Sequence, residues 1–141
     1  HARYETKLDN YSKVLHIEAQ TMLDMVWKDI LPAASAYTKE LAETVATKKA
    51  IGGGIDTSYE EKLAGHMSVL LASATKKAEA LEYALMGVKD ITDTLALARY
   101  YRDTIFAAMN ELRIIVDEME THCAAKYWPY PSYGDILFSV K

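Results

Sequence analysis

The strongest constraint on the fold is a single periodic stripe. From Tyr59 onward, Leu63, Met67, Leu70, Ala74, Ala78, Leu81, Leu85 and Val88 recur at spacings of three and four. That period returns side chains to one face of an α-helix and cannot line one face of a strand. The spacing predicts a helix over 58–89 that is roughly 45 Å long. One side of it must be covered by other helices.

The neighbouring segments supply the cover. Tyr4, Leu8, Tyr11, Leu15, Met22, Met25 and Val26 place apolar groups along a helix predicted over 3–30. Pro32 lacks a helical N–H and disfavours helix at Leu31, so the helix is expected to kink or restart there. The segment 33–50 is again periodic through Tyr37, Leu41 and Val45. Gly52-Gly53-Gly54 then ends it, and Asp56, Thr57 or Ser58 can cap the next helix, with Thr57…Glu60 and Ser58…Glu61 both spelling a capping box. Asp90 is the expected cap of a last helix over 91–126, striped by Leu95, Ala98, Ile105, Met109, Leu112, Val116 and Met119. Short links between long helices force antiparallel neighbours. The sequence therefore predicts an all-α, antiparallel up-and-down bundle of three long helices, the first broken or kinked at Pro32, followed by an aromatic tail at 127–141 docked on the bundle or on a neighbouring domain.

The tail is spelled unlike anything before it: Tyr127-Trp128-Pro129-Tyr130-Pro131-Ser132-Tyr133-Gly134-Asp135-Ile136-Leu137-Phe138. Aromatic and aliphatic groups at this density are costly to leave in water. The segment could be an extended ligand for an aromatic-lined groove on another protein. It could instead fold back as a clasp on the bundle end, the reading favoured here. Trp128, Pro129, Tyr130, Pro131, Tyr133, Ile136, Leu137 and Phe138 are the expected docking residues.

Composition narrows the function classes. At 141 residues with a net charge of −4, the chain holds one core and presents no broad basic surface for nucleic acid. No apolar run is long enough to span a bilayer. A lone cysteine, Cys123, fits a reducing, cytoplasmic compartment. The start at His1-Ala2-Arg3 suggests a piece of a larger protein.

Catalytic and metal chemistry are weakly encoded. Carboxylate-bridged di-iron bundles need Glu-x-x-His pairs, whereas His16, His66 and His122 follow Lys13, Leu63 and Met119 at that spacing. Glu118, His122 and Cys123 could offer ligands from one helical turn, but zinc needs three or four and a buried structural cysteine is the simpler account. The glycine run lacks the lysine and hydroxyl residue of a phosphate loop. No catalytic, cofactor-binding or metal-binding residue is expected within the chain.

Several stretches taken in order resemble the C-terminal region of type III glutamine synthetases, the large bacterial form of that enzyme. They are Arg3-Tyr4-Glu5, Ile17-Glu18-Ala19-Gln20-Thr21-Met22, Ile30-Leu31-Pro32-Ala33 and the tail over 127–138. Tyr59-Glu60-Glu61-Lys62-Leu63 and Arg99-Tyr100-Tyr101-Arg102-Asp103 are similar too. The resemblance implies a fragment making up about the final fifth of an enzyme that joins ammonia to glutamate using ATP and magnesium or manganese, in a dodecamer of stacked hexameric rings. It places the catalytic residues upstream. The chain's implied partners are the upstream catalytic domain and neighbouring subunits, and its implied role is structural, assembly or regulatory. Two alternatives stand beside it: an independent interaction module that binds through its tail or groove, and a bundle that holds haem or a metal.

Overall fold

A computed structural model describes residues 2–131 of the chain, and every regular element among them is helical. The first rod comprises α1 (Ala2–Met25), a π turn (Val26–Ile30) and α2 (Leu31–Ile51), with no break between them. The second is α3 (Ser58–Met86), ending in a 3₁₀ turn (Gly87–Asp90). The third comprises α4 (Thr94–Tyr100), a second π turn (Tyr101–Ile105) and α5 (Phe106–His122). Lys48 bonds Glu60 and Tyr100 bonds the Ala84 carbonyl, so α3 runs antiparallel to both flanking rods.

Pro32 acts differently from a simple break. The Leu31 N–H reaches back to the Val26 carbonyl, five residues earlier, in the turn just before Pro32, whose missing N–H would otherwise serve the Lys28 carbonyl. Widening the turn by one residue makes room for the pyrrolidine ring and lets the rod continue. The second π turn sits at the Tyr100-Tyr101 doublet. Tyr101 is buried with its hydroxyl 2.8 Å from His16 Nδ1, while half-buried Tyr100 donates to the Ala84 carbonyl at 2.6 Å. Two adjacent tyrosines thus reach two different neighbours, one on α1 and one on α3.

The stripe predicted on α3 lies in the core, with Met67, Ala74, Ala78 and Leu81 at 0% exposure. Ile105, Met109, Leu112 and Met119 meet it from the third rod. On the first rod the inward face is Ser12, Leu15, Ala19, Leu23, Val26 and Ile30, one strip round from the predicted one. Tyr4, Tyr11 and Met25 are exposed. Serine and alanine carry little hydrophobic signal, yet their small size is what lets the rods approach closely.

The reversal between α2 and α3 uses all three glycines at positive φ, 78°, 72° and 74°, a region costly for other residues. The α3 start does not use a capping box. Asp56 takes the Ser58 N–H at 3.0 Å, and the Thr57 hydroxyl donates to Glu61 at 2.8 Å. On the last rod the cap is Asp93, which accepts from the Ala96 N–H at 2.9 Å, three residues beyond the expected Asp90. The rod ends at His122, because Cys123 turns to extended backbone.

Carboxylates at this junction predict an acid response. The Lys48 ammonium, then a backbone N–H, hold the Glu60 carboxyl below the usual range. The Ser58 N–H and hydroxyl do the same for Asp56, and the Thr57 hydroxyl and Lys49 for Glu61. Folded values lowered in this way give stability that is complete above the unfolded range, about pH 4, and lost as pH falls through the folded values. The melting temperature should therefore drop on acidification below about pH 4. Glu60→Gln should flatten that limb; an unchanged profile would remove Glu60 from the account.

Gly87 shows a second sensitivity. A Cβ there would lie 2.7 Å from the Tyr100 hydroxyl, in the space that group uses to reach Ala84. Gly87→Ala should cost about 1–2 kcal/mol. The cost should shrink in a Tyr100→Phe background, because the clashing oxygen is gone. Additive losses in this double-mutant cycle would show that the contact does not matter.

Candidate functional site

The end of the third rod folds back on the first. After Cys123 a turn forms, in which the Tyr127 N–H donates to the Ala124 carbonyl at 2.9 Å. It delivers Tyr127 against Tyr37, ring centroids 5.3 Å apart and planes tilted by 43°. Lys126 pairs with Glu40 at 3.2 Å. The Tyr130 hydroxyl donates to Asp29 at 2.6 Å, and Trp128 packs half-buried against the core. Burial, then the bond to Asp29, pushes the Tyr130 hydroxyl up to about 12. Burial and the nearby Tyr59 hydroxyl do the same to Tyr37, also to about 12.

Trp128 and Tyr130 are thus brought onto the bundle, whereas Pro129 and Pro131 face solvent. Tyr133, Ile136, Leu137 and Phe138 lie outside the described residues. The clasp anchors are Asp29, Tyr37 and Glu40 on the first rod, residues about ninety positions away that no local pattern could pair with the tail. Tyr37 belonged to a recognised stripe; Asp29 and Glu40 carried no signal.

Between the first and third rods lies an open groove of about 420 Å³. Its walls are Ile17, Met22, Met25, Val26 and Ile30 from the first rod and Met109, Leu112 and Val116 from the third, with Glu18, Thr21 and Arg113 at the rim. Ile17 is 63% exposed and Met25 37%. The groove exists because α1 carries two apolar faces. One enters the core through Leu15, Ala19 and Leu23; the other opens outward through Ile17, Met22 and Met25, of which Met22 and Met25 belong to the stripe expected in the core. No helix of the described residues is long and apolar enough to cross a membrane.

The described residues form an all-helical bundle with a clasped end and an uncovered apolar groove. The chain is similar to the C-terminal domain of glutamine synthetases. The family model described as "Glutamine synthetase C-terminal domain" matches residues 1–49. The whole chain is 37% identical to a glutamine synthetase of Butyrivibrio fibrisolvens, covering 20% of that protein. It is 30% identical, over 97% of its length, to the type-3 glutamine synthetase of Dictyostelium discoideum, covering 19%. A glutamine synthetase of Bacteroides fragilis is 22% identical over 97% of the chain and is likewise covered to 19%. The chain therefore spans about one fifth of the length of these relatives.

Proposed function

We propose that this chain is a non-catalytic helical domain of a glutamine synthetase, an enzyme that joins ammonia to glutamate with ATP and divalent magnesium or manganese. In this reading its work is structural: it holds the rest of the enzyme, or a neighbouring subunit, against the groove between the first and third rods. The observation that carries the reading is the uncovered apolar groove on a chain whose relatives are about five times longer. Exposed aliphatic side chains lining one groove suit a partner that buries them, and four fifths of each such relative lies beyond the matched region. The rim charges Glu18 and Arg113 would set the register of that contact.

The test is Ile17→Asp combined with Met25→Asp in the full-length enzyme. Both side chains are exposed in the domain, so its own melting temperature should move little, as surface changes typically cost about 0.5 kcal/mol or less. Assembly size by sedimentation and ATP-dependent glutamine formation should both fall. Unchanged assembly and activity in a folded double variant would reject the groove as the contact.

A further inference from the structure

On the junction of α3 and α5, three donors converge that sequence spacing could not unite. His66 Nε2 lies 3.6 Å from Glu118 Oε1. The His66 and His122 rings stand edge to face, centroids 4.3 Å apart and planes at 80°. One ligand atom from each of the three residues can be chosen so that all lie within 4.8 Å of one another. Glu118 and His122 sit at i and i+4 on α5, on one face, and His66 meets them from the antiparallel helix. Among the described residues, no side-chain hydrogen bond occupies either imidazole or the Glu118 carboxylate. Cys123, the sulfur next in sequence, is not part of this group. It is buried in the core, and burial pushes its thiol up, away from the thiolate that binds metals.

We infer that His66, Glu118 and His122 form a binding site for a divalent first-row cation, with zinc the best match. Two imidazoles and one carboxylate are a ligand set that zinc accepts with a fourth position left to water. Zinc–nitrogen bonds of about 2.0–2.1 Å place tetrahedral ligands about 3.3 Å apart, close to the 3.6 Å already present between His66 and Glu118. The side chains are partly or fully exposed, so small rotations can close the remaining gap. A bound ion would tie α3 to α5 two residues before the clasp turn begins at Ala124. The site would thus fix the end of the third rod from which the clasp departs.

The experiment titrates zinc alone into the 141-residue chain carrying His1→Ala, which removes a terminal imidazole from competition. Calorimetry should report one equivalent with a Kd in the micromolar range or tighter. Cobalt in place of zinc should give the visible absorption of a four-coordinate site. His66→Ala and His122→Ala should each weaken binding at least tenfold, although they lie on different helices, while circular dichroism stays unchanged. Glu118→Gln, an exposed change that keeps the side-chain shape, carries the same test should either histidine variant lose helicity, and should weaken binding several-fold. A Kd above about 1 mM, or affinity that shifts less than threefold in the folded variants, would overturn the proposal.

Discussion

Leu81→Ala should lower the stability of the domain by about 4 kcal/mol, near the upper part of the range for sealed leucine sites. Leu81 is fully buried on the central rod, within the core cluster to which all three rods contribute. Losing its side chain leaves a void with close-packed walls on every side, and such walls relax little. Against a total stability of about 5–15 kcal/mol, that loss would bring the domain near its unfolding threshold. Leu112 offers the internal comparison. It too is at 0% exposure, but it forms part of the groove floor. A cavity at Leu112 would merge with open space, so Leu112→Ala should cost about 2–3 kcal/mol, at the low end of the same range. Urea unfolding of both variants decides the matter. Equal losses would mean that the groove floor packs as tightly as the core centre.

That contrast bears on what the sequence could reveal. The α3 stripe was legible because leucine and methionine mark it at nearly every turn. The α5 stripe was legible for the same reason. On α1 the buried face is drawn by Ser12, Ala19 and other residues of weak hydrophobic signal, while the louder Tyr4, Tyr11 and Met25 stand outside. Reading by apolarity alone therefore mixed core residues such as Leu15 and Val26 with Met22 and Met25, which line the groove, and with exposed Tyr4 and Tyr11. The π turns were hidden for a different reason: the sequence says that Pro32 obstructs a helix but not how the chain accommodates it. The clasp was foreseeable in kind, since Trp128 and Tyr130 had to be covered. Its anchors were not, because Asp29 and Glu40 become partners only when the third rod runs beside the first. His66 is a similar case. Local spacing offered Glu118, His122 and Cys123 as a group, whereas packing turns the cysteine inward and brings His66 across.

Replacing Tyr127, Trp128 and Tyr130 together with alanine should destabilise the domain by about 2 kcal/mol. Three half-buried aromatic side chains contribute roughly 3 kcal/mol by area, and ordering a terminal segment takes back about a third of it. The melting temperature should fall by several degrees, with Tyr37 becoming exposed. Tyr130→Phe should account for only a minor part, because it keeps the ring and loses one hydroxyl bond to Asp29 on an exposed edge. The alkaline response separates the clasp from the rest of the fold. A tyrosine raised to about 12 in the folded state stabilises fully below the unfolded value near 10, and that contribution is lost as pH rises toward 12. At pH 11, absorbance at 295 nm should therefore show Tyr37 and Tyr130 still protonated in the wild-type chain, and the triple variant should ionise Tyr37 earlier. The same triple variant, placed in the full-length enzyme, tells an internal clasp from an intermolecular ligand. An internal clasp predicts a loss of domain stability first, with assembly failing only at temperatures where the domain melts. If assembly fails while the isolated domain keeps its melting temperature, Trp128 and its neighbours bind a partner rather than their own bundle.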